Sequence, residues 1–405
     1  MSTNQNKNFF KKNKTKILYI SYDGILEPLG NSQVLKYLEH LSQKFEITLI
    51  SFEKYNLKDF NNEFPKMKEH CKDIGIDWKP KKYNQNIFLI SNLINILKIL
   101  LIPFLLMLHK KFQIVHIRSY MPGLGIIILK KIFKFKLIFD IRGFWADEKV
   151  DRLGWTKNSF KYKFFKALEL KLFQTSDVIV TLTEASKLYI ENHFKRSSQS
   201  IKVIRTCVDF TDFKIKKSYE KENIITIGYL GSIDTAYSFD SFLNLIEGLE
   251  KYGHSIELKV LSKNSPQTIT TYLKKNKLEH VNCVTHFAKR EELATFINEF
   301  DLLGFSLKES FSLIASMPTK IAESLACGTP IVCNNFNADI EAFISKENIG
   351  VLYDFSLPLD DRTYRKICNL LNDPSTPKRC HLFAKNYFSL ITGVEQYNAI
   401  YNSLK

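Results

Sequence analysis

The sequence lacks several features that would place the protein in other classes. Its seven cysteines form no C-x-x-C pair, and no group of cysteines or histidines has zinc-ligand spacing. The first sixteen residues carry five lysines but no apolar run, so they do not resemble a signal peptide. A disulfide-stapled domain and a zinc module are therefore not expected. We expect a cytoplasmic protein with reduced thiols, in which residues 1–14 form a disordered basic arm.

Acidic residues are also fewer than basic residues. There are 58 Lys and Arg residues against 42 Asp and Glu, which gives a formal net charge of +16. Such a balance favours an anionic partner, for example phosphate groups, an anionic membrane face or nucleic acid. The lysines are spread along the chain and no RNA- or DNA-binding module is recognisable, so nucleic acid is not the expected partner. A basic membrane- or nucleic-acid-binding protein without catalytic activity is the least favoured alternative.

One apolar segment, residues 87–108, is long enough on paper to span a bilayer. Asn92, Asn95, Lys98 and Pro103 interrupt it, and a central lysine costs about 2.5–3.5 kcal/mol on insertion scales. We favour one or two helices on the first domain, with an apolar edge that touches the inner face of the plasma membrane. A buried core helix is the alternative, and a true span is disfavoured because it would split an α/β domain.

Strand and helix patterns alternate over residues 15–210 and again over residues 224–382. This alternation predicts two doubly wound α/β domains, each with a parallel sheet covered on both faces. Residues 211–223 are polar and predict a linker, and residues 383–405 predict one amphipathic helix. The predicted strands are residues 16–21, 47–52, 114–117, 136–140, 178–182 and 201–204, then 224–229, 256–261, 281–285, 302–306 and 331–333. The predicted helices include residues 32–42, 123–133, 158–174, 239–251, 267–275 and 290–300.

The most informative stretch is SMPTKIAESLACGTPIV, residues 316–332. Pro318 suits the first turn of a helix, and Ser316 or Thr319 is placed to cap it. Unpaired N–H groups at a helix start attract phosphate, and Lys320 adds a positive charge to the same turn. The stretch therefore predicts a phosphate-binding helix start.

The same helix carries a carboxylate and a clear end. Glu323 lies on the same face as Lys320 and can accept hydrogen bonds from a hydroxyl. Gly328 suits a left-handed helix end, and Pro330 prevents continuation into the next strand. A surface helix with a weakly stabilising Lys–Glu pair is the alternative interpretation.

Three other loops follow predicted strands, where active-site groups of parallel sheets collect. Asp140 and Arg142 follow one strand, with a solvated helix start as the alternative role. Arg118 ends another strand, and a structural role is the alternative for this arginine. Gly231 and Ser232 follow the first strand of the second domain. There a glycine lets the backbone approach a phosphate and a serine adds a hydroxyl donor.

The stretch SMPTKIAESLACGTPIV resembles the C-terminal-domain signature of glycosyltransferase family 4, in particular a subgroup with Pro-Thr-Lys before the glutamate. The resemblance implies the GT-B fold: two facing Rossmann-like domains with a cleft between them and a C-terminal helix that crosses back to the first. It also implies that the helix start at Ser316, Thr319 and Lys320 holds the diphosphate of a nucleotide-sugar and that Glu323 binds its ribose. Many members carry a second glutamate eight positions earlier, where this chain has Ala315. Glu309 resembles the missing partner but would need a six-residue insertion to replace it.

The resemblance assigns the remaining donor and acceptor residues as well. Gly231 and Ser232 would contact the donor diphosphate, with Arg205 or Lys263 as a further source of charge. The acceptor side would be lined by the residues that match the family's first glycine loop in EPLGNSQV and by an arginine of HIRSYMPG. These are Gly30, Ser32, Gln33 and Arg118.

The catalytic group implied by the resemblance is Arg142 with Asp140 and Lys320. Arg142 stands where the family often has a histidine near the reacting carbon, and Lys320 would stabilise the leaving diphosphate. No metal and no other cofactor is expected. The sequence thus predicts a retaining glycosyltransferase of cell-surface polysaccharide biosynthesis that uses a nucleotide-sugar and a glycan or lipid-linked acceptor. The alternative is another GT-B enzyme, either an inverting transferase or a sugar-phosphate synthase.

Overall fold

The computed structural model describes residues 14–54, 57–83, 88–215, 224–233, 236–287 and 290–405. Within them lie two parallel sheets. The strands are β1 Lys16–Ser21, β2 Glu46–Glu53, β3 Ile76–Lys82, β4 Ile114–Arg118, β5 Lys136–Asp140, β6 Val178–Thr181 and β7 Ile201–Val203, then β8 Ile224–Leu230, β9 Ser255–Leu261, β10 Asn282–His286, β11 Leu302–Phe305, β12 Ile331–Cys333 and β13 Gly350–Leu352. Residues 1–13 of the predicted arm and residues 216–223 of the predicted linker lie outside the described residues.

Helices connect the strands. They are α1 Pro28–Gly30, α2 Lys36–Leu41, α3 Leu57–Asp73, α4 Phe88–His109, α5 Gly123–Leu129, α6 Trp145–Leu153, α7 Phe160–Thr175, α8 Glu184–Phe194, α9 Phe239–Lys251, α10 Pro266–Lys275, α11 Leu293–Ile297, α12 Thr319–Ala326, α13 Ala338–Glu347, α14 Asp361–Asn372, α15 Thr376–Phe388 and α16 Leu390–Ser403. A π-helical stretch, Asn31–Leu35, joins α1 to α2. Short 3-10 helices lie at Ser198–Ser200, Arg290–Glu292 and Phe311–Ala315.

Both sheets are doubly wound. Their strand orders are β3-β2-β1-β4-β5-β6-β7 and β10-β9-β8-β11-β12-β13, and every pairing is parallel. The order reverses between β1 and β4 and between β8 and β11, the points where such sheets open a crevice at their carboxyl ends. The α/β fold class with two Rossmann-like domains is thereby confirmed.

Alternate residues of each central strand pack on opposite helical layers, as the period of two demands. Ile17 and Tyr19 belong to a core with α2 and α16, whereas Leu18 and Ile20 belong to a core with α4, α5 and α7. The carboxyl-terminal helix α16 is therefore part of the core of the first domain.

The chain crosses between the two halves twice, and the two crossings are hydrogen bonded to each other. Val208 N–H donates to the Phe388 carbonyl over 2.8 Å, and Leu390 N–H donates to the Val208 carbonyl over 3.0 Å. Between them Ser389 is extended and ends α15. The single helix predicted for residues 383–405 is wrong in this respect, because α15 packs on α12 and α16 packs on α2.

Several elements were not predicted, among them α8 in the first domain and α13, β13 and α14 in the second. In the first domain α3 and β3 were missed as well, and they add an edge strand beyond β2. Both sequences are dominated by Lys, Asp, Glu and Asn and contain an internal proline, Pro65 in α3 and Pro80 in β3, so neither shows an apolar period. The helix predicted for residues 290–300 is also shorter, a 3-10 turn followed by the five residues of α11.

The apolar segment at residues 87–108 forms one helix, α4. From Ile94 onward, where side chains are described, Ile99 and Met107 are buried on the first domain. Leu101 and Leu105 point outward and are about half exposed. Among the described residues, no helix has the length and apolar character needed to cross a bilayer. The favoured packing on the first domain matches this arrangement.

A buried carboxylate links the two halves. Asp339 of α13 accepts hydrogen bonds from the N–H groups of Glu184 and Ala185 at the start of α8, each over 3.0 Å. It also pairs with Arg205 over 3.1 Å and is 5% exposed. Because anions stabilise helix starts, the Asp339 carboxylate of the second domain both caps α8 of the first domain and forms an ion pair with Arg205.

We expect Asp339→Ala to destabilise the protein by about 2–4 kcal/mol, since it leaves Arg205 and two N–H groups without their shared acceptor. Denaturant unfolding measures this change. Asp360→Ala is the control, because Asp360 caps α14 at an exposed site within one domain, and it should cost about 1 kcal/mol. Equal losses in the two variants would contradict the special role of Asp339.

Candidate active site

The start of α12 carries the predicted phosphate site. Pro318 occupies the cap position and no side chain caps the helix, so the predicted capping by Ser316 or Thr319 is wrong. The Ser316 hydroxyl instead donates to the Ser312 carbonyl over 3.5 Å, and Thr319 is the first helical residue. The first N–H groups of α12 therefore have no side-chain acceptor, which suits an anionic ligand.

Lys320 is buried beside this helix start, with 6% of its surface exposed. Its Nζ donates to the Leu230 carbonyl and lies 3.6 Å from the centre of the Tyr237 ring. Burial lowers the pKa of Lys320 to about 7, although nearby Glu323 acts to raise it. The ammonium group is thus held in an apolar, aromatic pocket, where a second anion would stabilise its charged form.

Gly231 forms the wall next to that ammonium. A Cβ at this position would lie 3.2 Å from Nζ of Lys320, and the backbone has φ of +115°, which only glycine adopts readily. Its N–H donates to the Leu261 carbonyl, and the Ser232 carbonyl accepts from Tyr229. The structure therefore brings Gly231 and Lys320 together. The following residues 234–235 lie outside the described chain.

Glu323 is equally buried and has a partner that was not predicted. Arg290 donates to its Oε1 over 3.2 Å. Burial raises the pKa of Glu323, while Arg290 and then Lys320 oppose that rise. Arg290 lies thirty-three residues earlier in a charged segment, KREEL, and no local pattern distinguishes it. Lys320, Glu323 and Arg290 form one charged group around the first turns of α12.

On the first domain, Asp140 lies at the end of β5 and is fully buried. Arg118 Nη1 is 3.5 Å from its Oδ2, and Arg142 Nη1 is 3.8 Å from its Oδ1. Burial alone would raise the pKa of Asp140, but Arg142, His116 and Arg118 outweigh it and lower the pKa to about 2. Asp140 is therefore a permanent anion that holds two arginines, and it is a poor proton acceptor at neutral pH.

Two residues just after β4 and β5 have left-handed backbones: Ser119, the residue after β4, has φ of 68°, and Arg142, the second residue after β5, has φ of 56°. Non-glycine residues in this region cost about 1–3 kcal/mol each and cluster at functional sites. The chain thus turns sharply at the carboxyl edge of the sheet and directs Arg142 from there.

The predicted acceptor loop is tightly built. A Cβ on Gly30 would lie 1.8 Å from the Gly24 carbonyl oxygen, so only glycine fits. Ser32 and Gln33 are buried in the π-helical stretch. Gln33 Nε2 donates to the Cys207 carbonyl over 2.8 Å, which ties this loop to the crossing segment. Both side chains contact the protein itself, and their acceptor role stays a prediction.

Glu53, which sequence reasoning missed, fixes the same loop. Its carboxylate is fully buried and accepts hydrogen bonds from the N–H groups of Ile25 and Leu26 over 3.0 and 3.1 Å. Ser51 donates a third bond to it. A glutamate at the end of an apolar strand is the only sequence signal for this role.

The other predicted charges lie elsewhere. Arg205 belongs to the contact with Asp339 described above. Glu309 is exposed, and Ala315 is buried in a core of the first domain. Lys263, by contrast, lies close enough to Glu27 of the first domain to act on its charge. Burial raises the pKa of Glu27, and the positive charges of Lys54 and Lys263 act to lower it.

The carboxyl edges of the two sheets face each other. Besides Lys263 and Glu27, Ser312 N–H donates to Asp151 of α6 over 3.1 Å. Burial raises the pKa of Tyr237, the ring that covers Lys320, and Arg152 of the same helix acts to lower it. The groups around α12 and those after β5 thus lie on opposing surfaces of one interdomain site. Among the described residues, no group of three or more His, Cys, Asp or Glu side chains could hold a metal ion.

Comparison with known proteins decides the class. Residues 32–212 match the family model of Glycosyltransferase Family 4, and residues 210–387 match that of Glycosyl transferases group 1. The chain is a GT-B glycosyltransferase. No curated protein matches its sequence.

Solved structures share the fold of this glycosyltransferase over nearly its whole length. Sucrose-phosphate synthase from Thermosynechococcus elongatus superposes with a TM-score of 0.69 at 11% identity, covering 96% of this chain and 99% of that one. A glycosyltransferase from Rickettsia africae gives 0.68 at 16% identity, covering 97% and 99%. Anabaena HepE in complex with UDP and glucose gives 0.67 at 11% identity, covering 96% and 100%. At these identities the likeness extends to the fold alone.

We expect Lys320→Met to raise the free energy of unfolding of this glycosyltransferase at and below neutral pH. Folding buries an ammonium group whose pKa falls from 10.5 to about 7, so the charged form is penalised in the folded state. The wild type regains stability as pH rises from about 7 towards 10.5, because the unfolded chain then binds the extra proton. The advantage of the variant should be largest below pH 7 and shrink in alkali. Urea titrations of both proteins across this pH range measure the difference in their free energies of unfolding. A stability advantage of Lys320→Met that grows in alkali would contradict the prediction.

Proposed function

We propose that this enzyme transfers a sugar, with retention at the anomeric carbon, from a nucleotide-sugar to a hydroxyl of a glycan or lipid-linked acceptor in cell-surface polysaccharide biosynthesis. The observation that carries the proposal is the buried ammonium of Lys320 beside Gly231 and the uncapped start of α12. Burial lowers the pKa of Lys320 to about 7, so a diphosphate bound beside it would strongly stabilise the protonated ammonium and raise this pKa again.

The donor would lie along α12. Its diphosphate would contact Lys320, the first N–H groups of α12 and the backbone at Gly231. Its ribose hydroxyls would hydrogen bond to Glu323, which Arg290 keeps in place. Two similar solved structures support a nucleotide-sugar as the donor, since HepE was crystallised with UDP and glucose and TarM with UDP and a GlcNAc-glycerol.

In the transfer step the bond between the anomeric carbon and the diphosphate oxygen breaks, and the acceptor oxygen bonds to that carbon on the same face. Negative charge builds on the leaving diphosphate. Lys320 and the α12 N–H groups would stabilise that charge. Arg142 would face the reacting carbon, and Asp140 would fix Arg142 without accepting a proton, given its low pKa. The departing diphosphate oxygen would assist in taking the acceptor proton. Because fixed cationic groups supply the charge stabilisation, we propose that activity survives chelation of metal ions.

The alternative within the same fold is an inverting transferase or a sugar-phosphate synthase, and one similar structure is a sucrose-phosphate synthase. Proton NMR of the product identifies an inverting transferase, because retention and inversion give different anomeric coupling constants, whereas transfer to a sugar phosphate would identify a synthase. An inverted product would overturn the retaining assignment.

Glu323→Ala should weaken binding of UDP or GDP by about tenfold or more, since the ribose loses a buried acceptor and Arg290 loses its partner. Isothermal calorimetry measures the dissociation constant. Glu341→Ala, at an exposed position of α13, is the matched control and should leave the dissociation constant unchanged.

Lys320→Met should lower kcat by more than about a hundredfold in a nucleotide-sugar turnover assay. Unchanged values for both variants would reject the proposed donor site.

An anionic membrane surface is the second partner that we propose. No Asp or Glu occurs between Asp77 and Asp140, although lysines are frequent there. This span includes α4 and α5, which expose large apolar side chains: Ile94, Ile96, Leu97, Leu101, Leu105 and Leu108 on α4 and Ile128 on α5. Apart from Ile96, the α4 positions recur every three or four residues and form one stripe along the helix.

Lysines border this stripe. Lys131 and Lys134 are exposed beside Ile132, which is 62% exposed directly after α5. On α7, Phe160 is 83% exposed among exposed lysines. An apolar face bordered by cations suits the interface of a bilayer that contains anionic lipid. It would bring a lipid-linked acceptor to the first domain.

Vesicle sedimentation tests this partner. The enzyme should bind vesicles that contain about one third phosphatidylglycerol and not those of phosphatidylcholine alone, and added salt should weaken the binding. The double variant Leu101→Ser, Leu105→Ser should lose it, whereas Leu357→Ser, Leu382→Ser, equally exposed on the second domain, should keep it. Equal binding by both variants, or a dimer in light scattering that only the first variant disrupts, would reject the membrane as occupant of this face.

A further inference from the structure

The last helix supplies two buried hydroxyl groups to the polar cluster below Arg142. Tyr397 donates to Asp140 Oδ2 over 2.9 Å, and the hydroxyl of Tyr401 lies 2.7 Å from Nδ1 of His116. Both tyrosines are buried, at 5% and 0% exposure. They reach the end of β5 and the middle of β4 from 257 and 285 residues away in the sequence.

Tyr397 makes the closest polar contact to the side chain of Asp140 among the described residues. Arg118, Arg142 and His116 lie farther from its carboxylate, at 3.5, 3.8 and 3.9 Å. Oδ1 of Asp140 has no hydrogen-bond partner within the described part of the chain. The tyrosine hydroxyl therefore sets the orientation of a carboxylate that two guanidinium groups only approach.

The same tail also contacts the donor side. His381 of α15 hydrogen bonds to the Ala326 carbonyl at the end of α12, and Pro377 lies against Gly328 just after that helix. The tail then crosses at Ser389, where it pairs with Val208. One continuous stretch of chain thus joins the far end of the donor helix to Asp140.

We propose that Tyr397 is a positioning residue for the transfer reaction, an inference that rests on the proposed function of Asp140 and Arg142. Its hydroxyl keeps the Asp140 carboxylate turned so that Arg142 is held at a distance and remains directed to the interdomain site. Without that hydroxyl the carboxylate turns towards the guanidinium groups, which form stronger charge-assisted hydrogen bonds than the nearby His116, and draws Arg142 away from the transferred sugar.

Tyr397→Phe tests the proposal because it removes one oxygen and keeps the ring. We expect kcat to fall about tenfold or more, while the KM for the nucleotide-sugar and the dissociation constant of UDP or GDP stay unchanged. The matched control is Tyr353→Phe, which removes a buried hydroxyl bonded to the Leu357 carbonyl over 2.6 Å in the second domain. It should lower the unfolding temperature to a similar degree and leave kcat intact.

The outcomes distinguish failure of the positioning role of Tyr397 from failure of the proposed function. If Tyr397→Phe keeps wild-type kcat while Asp140→Asn and Lys320→Met lose turnover, the positioning role is overturned and the proposed function stands. If Tyr353→Phe lowers kcat as much as Tyr397→Phe, the effect is one of general stability and the positioning role is again overturned. If Asp140→Asn and Lys320→Met also turn over like the wild type, the proposed function itself fails.

Discussion

The paired crossings at Val208 and Ser389 are the constraint on which the rest of this enzyme depends. A parallel sheet collects its functional loops at one edge, so a two-sheet enzyme needs those edges to face each other. Two hydrogen bonds between the crossing strands fix where one half ends and the other begins. Asp339 then joins α13 to the start of α8 and, through Arg205, to the segment that leads into the crossing. Together these contacts set the separation of the loops that carry Arg142 and Lys320.

Both sides of the site bury charge, but in opposite ways. Asp140 is surrounded by cationic groups and stays ionised far below neutral pH. Lys320 is surrounded by rings and a carbonyl, and its pKa falls towards neutrality. Asp140 thus has several cationic neighbours, whereas Lys320 has Glu323 as a nearby carboxylate and its pKa is lowered chiefly by burial. This asymmetry would suit the proposed enzyme, in which the first domain holds a rigid acceptor surface and the second gains binding energy from a phosphate.

The local parts of this architecture could be predicted from the sequence. The bounds of β1, β5 and β12 agree with the apolar runs at residues 16–21, 136–140 and 331–333, because proline, glycine and polar residues punctuate them. The nearness of Lys320 and Glu323 followed from helical spacing alone. The break at Ser389 could not be predicted, since SLIT contains neither glycine nor proline and the cause is pairing with a distant strand.

Contacts between distant residues account for most of what sequence reasoning missed. Arg290 contacts Glu323, Glu53 holds the loop after β1, and Tyr397 contacts Asp140. The local sequence does not distinguish Arg290 or Tyr397, and Glu53 is marked only by its place at the end of an apolar strand. Tyr397 reads locally as one apolar position of an amphipathic helix. Its hydroxyl reaches Asp140 only because α16 packs on the carboxyl edge of the first sheet. An aliphatic residue at this position would leave the Asp140 carboxylate with the two arginines as neighbours and no hydroxyl donor. Side chains with both an apolar body and a polar tip are therefore the positions at which periodicity predicts burial correctly and misses the chemistry.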